Sequence, residues 1–584
     1  MIEILVENAR TKIVGKLHSD PEICDAYHRA LRTDLGYMIK GVGWSPKYQD
    51  NTWDGVISLY TKRDQSFPTG LISNVKETFD VLKIPYKIVD ARVRPESNAK
   101  IETLFEQNNR TLRFYQEDAV RKALKHQRGV LSLCTGAGKT FLACELLARL
   151  SIKPVVFFVP GKSLLHQTHN EFSQYLQQDG KPAKIGRAGD SICDLNPDGI
   201  NIMTSATGLA AYNEIYRKTK DKVEKNVREE EKEKKTHLQL KNEYAEQKKC
   251  LEALQAKIPN TNLLELRLIP KELANIAPEI RNVKNAYNKS RLALENKEKA
   301  IKNKAQIRWI IENSKCVIFD ETHLAAVVVQ TLGEHAKKAY YRYGMSATPF
   351  REDNQEIRIQ GTLGRILVSI SASMLIKLGY LVPPRVFMFK IDHLETADTY
   401  PEMYRKNITD CWIRNWRIKR CAEEFKAAGY PVLIAVELKE HGSLLEAMIK
   451  DSVFVPGTGT EADLEGDDEE VDDEIKNYRK KMLQKTAKNE IILIGTQWVN
   501  VGIDEPGLRV LIKAGSSKSA NTSKQQDGRV MRCLGKDIQE SIFNGKSECI
   551  IIDFMDMQEH LHKHSIIRKK LYKLEDAFEC NVVV

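Results

Sequence analysis

The chain has 584 residues, of which 42% are hydrophobic and 29% charged, so it is too long for a single core and too apolar for a disordered protein. Its formal net charge of +11 favours a polyanionic partner. The 11 cysteines form no Cys-x-x-Cys pair, and no apolar run approaches the roughly 20 residues of a membrane helix. These features exclude a disulfide scaffold, a zinc ribbon and a membrane protein, and they predict an intracellular protein of about three or four domains.

Residues 1–95 predict a small α/β module. Short segments with strand-like alternation surround segments with helical periodicity. The predicted strands are Ile2–Val6, Val56–Tyr60 and Tyr86–Val89, and the predicted helices are Pro21–Thr33 and Leu71–Leu82.

Residues 96–380 and 381–584 predict two further α/β domains, because short apolar strands alternate with amphipathic helices in both. That alternation is typical of a parallel sheet with crossover helices. The predicted strands are Val130–Leu133, Val155–Val159, Ile200–Met203 and Cys316–Phe319 in the first block, and Val432–Val436, Ile491–Ile494, Val510–Ala514 and Cys549–Ile552 in the second.

Two segments interrupt this alternation. Residues 213–306 are rich in Lys, Glu, Asn, Gln and Ala, and apolar residues recur at three- and four-residue steps after Pro270. This pattern predicts an antiparallel coiled-coil hairpin whose arms are roughly 50–65 Å long. The acidic run at 461–474 predicts a flexible surface loop.

A glycine-bearing loop follows the strand Val130–Leu133 and leads into a helix. Two glycines let backbone N–H groups approach phosphate oxygens, and the helix dipole favours negative charge. Lys139 supplies positive charge to the β- and γ-phosphates, and the Thr140 hydroxyl supplies a ligand for Mg²⁺. The strict phosphate-loop pattern requires glycine where Leu133 stands, so only a narrower form of the motif fits. The residues predicted to bind ATP here are Thr135, Gly136, Ala137, Gly138, Lys139 and Thr140.

Two adjacent carboxylates, Asp320 and Glu321, follow the apolar strand Cys316–Phe319 and precede Thr322 and His323. ATP hydrolysis needs one carboxylate to hold the metal and another to orient or deprotonate the attacking water. We predict that Asp320 holds the metal and that Glu321 orients or deprotonates the attacking water. An Asp-Glu pair alone is weakly diagnostic, but together with the loop at Lys139 it predicts an ATP site.

Arg529 and Arg532 are three residues apart, on one face of a predicted helix. Phosphoryl transfer spreads negative charge over the γ-phosphate, and an arginine from another domain stabilises that charge. We predict this role for both arginines. Without the other two motifs, the pair would indicate only a basic helix turn.

These three elements, in this order, resemble the motifs of the DExH-type superfamily 2 helicases over residues 110–584. The resemblance implies two RecA-like domains of the P-loop NTPase class that close on ATP and Mg²⁺. It adds further nucleotide contacts at Arg113 and Gln116, where the family's glutamine reads adenine, and at Gly502 and Asp504. It also places Gln525 at the start of the motif that ends at Arg532.

The same resemblance implies residues outside the nucleotide site. Ser346 and Thr348 match the motif that couples hydrolysis to domain movement, while Gln167, Thr204 and Thr496 match segments along the nucleic-acid path. The sequence departs from the family at Gln526 and Asp527, where an arginine-led pair is more usual, and at the inserted hairpin.

The N-terminal module narrows the resemblance to the UvsW family of phage branch-migration helicases and to XPB-like enzymes. The carrying segments are Asn51–Gly55, Phe67–Ile72 and Leu378–Pro383. The resemblance implies an ATP-dependent DNA helicase that remodels forks or junctions, in the cytoplasm or, for a phage protein, the host cytoplasm. Trp53 is expected either to contact DNA or to pack within its module.

Several alternatives stay open on the sequence. The motor motifs also fit an RNA helicase, the motor subunit of a restriction-type complex, and a nucleotide-gated scaffold that does not hydrolyse ATP. The hairpin is a surface insertion, a wedge on duplex DNA or a partner-binding arm. Polarity and oligomeric state are not encoded in any pattern found.

Overall fold

A computed structural model describes residues 2–108, 110–217, 234–243, 269–347, 354–392, 395–457, 469–500, 505–517 and 520–583, with a few single positions between 245 and 252. Within these ranges, no helix combines the length and apolar character needed to cross a membrane. The same ranges hold no group of three or more His, Cys, Asp or Glu side chains suited to a metal ion.

The N-terminal module has a four-stranded sheet with one parallel and two antiparallel pairings. Two helices cover it, and Asp20 caps the first by accepting from the Glu22 and Ile23 amides. The sheet order is Ser66–Pro68, Arg10–Val14, Ile2–Val6 and Tyr86–Asp90. The helices are Pro21–Asp34 and Ile72–Val81; Gly36–Met38 pairs with Val56–Ser58; short helical turns lie at Val42–Trp44, Pro46–Gln49 and Thr69–Leu71.

The module packs against the helix Glu356–Leu363 of the next domain. Arg358 Nε donates to the Tyr37 hydroxyl at 2.8 Å, and Gln360 Nε2 donates to Asn74 Oδ1 at 2.9 Å. The backbones are so close at Gly70 that a Cβ there would lie 2.0 Å from the Gln360 carbonyl oxygen. The module and this helix are therefore held together by close packing.

The first large domain contains an eight-stranded sheet that is parallel except for one edge strand. The four strands predicted for this domain are confirmed, each to within two residues at either end. The order is Ile192–Asp194, Gly186–Gly189, Ile200–Thr204, Val155–Val159, Cys316–Asp320, Tyr341–Ser346, Arg128–Leu133 and Ile366–Ile370. The helices are Phe114–His126, Lys139–Leu150, Lys162–Tyr175, Ser205–Arg217, Ala326–His335, Glu356–Leu363 and Ala372–Lys377; Ile101–Thr103, Leu176–Gln178 and Lys181–Pro182 form a small separate sheet, and Glu106–Asn108 is a helical turn.

The inserted segment contains a 45-residue helix, Ile269–Asn313, which forms its second arm. Tyr212 donates to Glu312 Oε1 at 3.4 Å, and His237 stacks on Tyr287 with ring centroids 5.2 Å apart. From the first contact to the second, the residue number rises by 25 in one arm (212 to 237) and falls by 25 in the other (312 to 287). The two arms are therefore antiparallel. The predicted tip near Pro259 lies outside the described residues.

The second large domain contains a seven-stranded sheet in which all neighbours are parallel. Its strand order is Ser452–Val455, Ile492–Gly495, Val432–Ala435, Val510–Lys513, Cys549–Asp556, Pro384–Ile391 and Glu579–Val583. Its helices are Tyr400–Tyr404, Arg405–Thr409, Trp412–Ala427, Lys439–Met448, Glu469–Ala487, Gln497–Asn500, Ala520–Val530, Ile538–Phe543 and Glu559–Lys573. The sequence-based fold class, α/β with parallel-sheet domains, is confirmed.

Two local predictions are wrong. The acidic run at 461–474 is not a loop throughout, because a helix begins at Glu469; acidic residues in a first turn are favoured by the helix dipole. Arg532 does not lie on a helix with Arg529, because that helix ends at Val530 and Arg532 forms a bridge with Leu381.

A candidate nucleotide site between two domains

Three neighbouring strands bring the predicted motifs to one edge of the first sheet. Tyr341–Ser346 lies between Arg128–Leu133, which leads into the phosphate loop, and Cys316–Asp320. Because the three strands are parallel, their carboxyl ends meet at the same edge, where ligands of such sheets bind. Lys139, Asp320 and Ser346 are thus brought together from distant parts of the sequence.

The phosphate loop turns through two glycines with positive φ, Gly136 at 87° and Gly138 at 79°. Gln116 is buried against this loop and donates from Nε2 to the Ala137 carbonyl at 2.8 Å. A Cβ at Gly138 would lie 2.4 Å from that nitrogen, so glycine is required by close packing as well as by φ. Gln116 Oε1 in turn accepts from the Arg113 amide at 2.9 Å.

Arg113 connects this region to the second domain. Its guanidinium lies 4.1 Å from the ring centre of Tyr380, and its NH2 donates to the Lys536 carbonyl at 3.3 Å. The predicted nucleotide contacts Arg113 and Gln116 therefore lie beside the phosphate loop, at the junction of the domains.

Lys139 and Glu321 form an ion pair across the site. Lys139 Nζ lies 2.5 Å from Glu321 Oε1, and both side chains are 15% exposed. Burial opposes the lysine charge, but attraction to Glu321 and Asp320 outweighs it and raises the pKa of Lys139. Burial alone would also raise the pKa of Glu321, yet Lys139 and His323 attract the carboxylate and hold its pKa below the ordinary value.

The pKa of the neighbouring carboxylate, Asp320, is shifted in the opposite direction. Burial, followed by repulsion from Glu321, raises the pKa of Asp320 to about 7. A nearby divalent cation would relieve both causes, and carboxylate and hydroxyl oxygens are the donors that Mg²⁺ prefers. Asp320 and Thr140, the second residue of the helix Lys139–Leu150, therefore fit such an ion chemically.

Glu321 adopts a left-handed backbone conformation, with φ of 46°. Non-glycine residues rarely hold this conformation unless their surroundings impose it. Two residues later, His323 is buried with its Nδ1 2.7 Å from Ser346 Oγ. The strand ends at Asp320 and Ser346 are thus tied together through His323, while Thr348 lies outside the described residues.

The second domain meets the phosphate loop through the helix Ala520–Val530. A Cβ at Gly528 would lie 2.4 Å from Thr135 Cβ, so the helix and the loop are in direct contact. Burial lowers the pKa of Arg529 to about 10, and the charge of Glu321 opposes that shift, which places the guanidinium within electrostatic reach of the carboxylate. Burial also lowers the pKa of Arg532, opposed by Glu171. Gln525 lies partly buried on the same helix.

The residues predicted along a nucleic-acid path make local hydrogen bonds. Gln167 donates to Glu171 Oε1 at 2.8 Å, and Thr204, at the end of its strand, caps Thr207 through its hydroxyl. Thr496 is buried and accepts from the Gly457 amide at 2.7 Å. Gly502 and Asp504 lie outside the described residues.

In the N-terminal module, Trp53 is half-buried and donates from its indole nitrogen to the Val56 carbonyl at 3.2 Å. Trp44 on the same module is 89% exposed, between the exposed Lys40 and Lys47. Sequence reasoning passed over Trp44, although the glycines around it, Gly41 and Gly43, were the available sign of a surface turn.

The fold and the site define a class: a P-loop NTPase with two RecA-like domains and a nucleotide site between them. Residues 109–351 match the family model described as "Type III restriction enzyme, res subunit". These residues include the phosphate loop and both carboxylates.

Three named relatives are similar to parts of the chain in sequence. The predicted helicase 22 of the Sulfolobus islandicus filamentous virus (isolate Iceland/Hveragerdi) is 26% identical over 291 residues, 47% of this chain and 48% of its own length. The "DNA 3'-5' translocase XPB2" of Sulfurisphaera tokodaii is 29% identical over 137 residues (24% and 27%), and "ATP-dependent DNA helicase uvsW" of Enterobacteria phage T4 is 28% identical over 163 residues (25% and 31%).

The solved structure of T4 UvsW aligns over 100% of this chain and 98% of its own, with a TM-score of 0.39 and 16% identity. The arrangement of domains given above follows from the contacts within this chain and not from that alignment. In sequence, the chain spans about half or less of the relatives it matches. Over these segments the chain is similar in sequence to proteins named as helicases or translocases.

Proposed function

We propose that the protein is an ATP-driven DNA translocase of superfamily 2 that unwinds or remodels branched DNA. The observation that carries this proposal is the Lys139–Glu321 ion pair, which faces an arginine from the second domain. A nucleotide in this cleft would contact both domains, so its binding and hydrolysis would alternate their closure.

The ion pair suggests how the residues act in turn. In the structure, Lys139 pairs with Glu321. When the β- and γ-phosphates arrive, the ammonium exchanges partners, and the freed carboxylate of Glu321 orients the attacking water and accepts its proton. Arg529, assisted by Arg532 and Gln525, stabilises the charge that develops on the γ-phosphate.

Thr140 and Asp320 would hold a magnesium ion, which would supply positive charge to neutralise the phosphates. With that charge nearby, the buried carboxylate of Asp320 would need no proton. His323 connects this carboxylate edge to Ser346, and we propose that Ser346 and Thr348 pass the change on to the rest of the domain.

Several features support DNA as the polyanion. The chain carries a formal charge of +11, and the names of two relatives specify DNA. We propose a path over the strand ends at Gln167, Thr204 and Thr496, with the N-terminal module contacting a fork or junction. The domains proposed are 1–95, 96–380 and 381–584, with the hairpin 213–306 inserted in the second.

A second candidate, the motor subunit of a restriction-type complex, is favoured by the description of the matched family. It shares the ATP site and differs in the DNA it processes, since such a motor would act on continuous duplex. An RNA helicase would differ in the polymer that stimulates it.

ATPase assays on the full chain test this proposal directly. We expect strong stimulation by forked and four-way DNA, less by duplex and single-stranded DNA, and little by RNA. Equal stimulation by linear duplex would favour the restriction-type motor, and stimulation by RNA alone would overturn the DNA assignment.

The variant Glu321→Gln separates a motor from a nucleotide-gated scaffold. It should bind ATP, hydrolyse it at least a hundredfold more slowly and fail to process junctions, whereas a scaffold would keep its activity. Glu559→Gln, a surface carboxylate 77% exposed and paired only with Lys563, is the matched control.

A further inference from the structure

One of the two residues that depart from the family motif, Asp527, is buried on the helix Ala520–Val530, which carries Arg529 and which we call the arginine helix. It is 4% exposed, and its Oδ1 lies 2.6 Å from Lys513 Nζ, at the end of the neighbouring strand Val510–Lys513. Burial raises the pKa of Asp527, and Lys513 counteracts that rise. A buried carboxylate is costly unless it is paired, so this contact is specific.

Lys513 extends the contact into a chain of alternating charges. Its ammonium also donates to Ser523 Oγ at 2.7 Å and to the Tyr572 hydroxyl at 2.8 Å. The Tyr572 hydroxyl donates to Asp553 Oδ2 at 2.8 Å, and Asp553 accepts from Arg568 Nε at 3.0 Å. Two carboxylates thus balance two cations inside the second domain. We call Asp527, Lys513, Tyr572, Asp553 and Arg568 the buried relay.

Arg568 of the relay and two neighbouring side chains, Arg414 and Asp556, also hold the segment that precedes the arginine helix. Arg568 NH1 donates to the Ser517 carbonyl at 3.1 Å, and Arg414 NH2 donates to the Gly515 carbonyl at 3.1 Å. Ser516 Oγ donates to Asp556 Oδ2 at 3.2 Å. The helix is therefore anchored just before its start and again near its end.

Three consecutive residues of this helix point in three directions, because successive side chains are about 100° apart. Asp527 faces Lys513, Gly528 faces Thr135 of the phosphate loop, and Arg529 follows directly after Gly528, with the charge of Glu321 acting on its guanidinium. Rotating the helix to move Arg529 would break the first contact and drive backbone against Thr135 at the second.

We propose that Asp527 is a positioning residue, which holds Arg529 at the angle that meets the γ-phosphate by pairing with Lys513. It does not touch the nucleotide. This inference rests on the proposed function and explains why an acidic residue stands inside a motif that otherwise carries arginines.

The test uses the full chain and the variant Asp527→Asn, which keeps the shape and removes the charge. We expect kcat of the DNA-stimulated ATPase to fall at least tenfold, while KM and the Kd for a non-hydrolysable ATP analogue change less than twofold. The matched control is Asp25→Asn, whose carboxylate pairs with Lys62 at 2.7 Å on the exposed surface of the N-terminal module.

A second variant separates positioning from general destabilisation. In Asp527→Asn/Lys513→Met no buried cation is left unpaired, so folding should recover, whereas kcat should stay at least fivefold below wild type. A kcat within twofold of wild type in either folded variant, or a rise in KM without loss of kcat, would overturn the proposal.

Hydrogen exchange keeps this test distinct from that of the ATPase activity. Without nucleotide, Asp527→Asn should speed amide exchange across residues 520–530 relative to Asp25→Asn, and leave the helix Lys139–Leu150 unchanged. If wild type hydrolyses no ATP, the proposed function fails, and the exchange result still decides whether Asp527 holds the helix. Unchanged exchange would refute that role.

Discussion

The two sides of the ATP cleft hold their charges in different ways. On the first domain, Lys139 and Glu321 are each 15% exposed and pair with each other, and Glu321, which also lies 3.4 Å from His323, has a strained backbone. On the second domain, the charges of the buried relay are at most 6% exposed, and Lys513, Asp553 and Arg568 each have several partners. In the proposed cycle, the charges that exchange partners are thus more exposed than the charges proposed to orient a helix.

This difference predicts that variants on the first side, and of the arginine that faces it, will lose activity while keeping stability. Variants of the relay should lose stability as well. The predictions below would break or sharpen that contrast.

Arg529→Ala should have the largest effect. We expect kcat to fall about 10³-fold, equivalent to about 4 kcal/mol of transition-state stabilisation, because the developing γ-phosphate charge loses its partner. Steady-state ATPase assays with saturating DNA measure this. Arg420→Ala, which removes a surface guanidinium paired with Glu424, is the control. Activity within tenfold of wild type would remove the catalytic assignment of Arg529.

Asp553→Asn should lower the free energy of unfolding of the second domain by about 3–5 kcal/mol, because it leaves Arg568 buried without its carboxylate. Urea unfolding followed by circular dichroism checks this. Lys139→Met should lose clearly less stability, because Asp320, with a pKa of about 7, can take up a proton and relieve repulsion from Glu321. Equal losses in the two variants would contradict the contrast.

Tyr572→Phe should cost less, about 1–3 kcal/mol, since only one hydroxyl is lost from between Lys513 and Asp553. Lys513 keeps Asp527 as a partner, and Asp553 keeps Arg568. The same unfolding assay applies, with Tyr478→Phe, a 49% exposed tyrosine of the same domain, as the control. A loss as large as that of Asp553→Asn would mean that the hydroxyl and not the charges holds the relay together.

Deleting residues 218–304 and closing the gap with a short linker should have the smallest effect at the cleft. Basal ATPase should stay within twofold of wild type, because the packed base of the hairpin, with Tyr212, Ile307, Ile310 and Ile311 buried, is retained. Junction processing should be impaired if the hairpin acts on DNA. If junction processing is unchanged, the wedge interpretation is excluded, and the hairpin is either a partner-binding arm or a surface insertion.

Sequence patterns predict the first side of the cleft better than the second. The loop at Lys139 and the carboxylates at Asp320 and Glu321 lie at the ends of apolar strands, and parallel pairing necessarily brings such ends together. Asp527 offers no comparable signal. Its partner Lys513 precedes it by 14 positions, and only the packing of the helix on the sheet edge makes them neighbours.

Other gaps have similar causes. The helix that begins at Glu469 starts inside a run whose acidic, glycine-containing composition is typical of a loop. The spacing of Arg529 and Arg532 fits one helical face, but spacing alone does not show that Val530 is the last helical residue. For Trp44 and Trp53, exposure decides which indole is available to a ligand, and exposure depends on the finished fold.

The 45-residue helix of the hairpin enters the strand Cys316–Asp320 after only two residues, Ser314 and Lys315. At 1.5 Å per residue it is about 67 Å long, so a tilt of about 5° at its root would move the far end by about 6 Å. A small adjustment of the strand that carries Asp320 would thereby move the far end by a distance comparable to the spacing of two base pairs. Conversely, a load at the far end would exert a torque at Asp320, the carboxylate proposed to hold the metal.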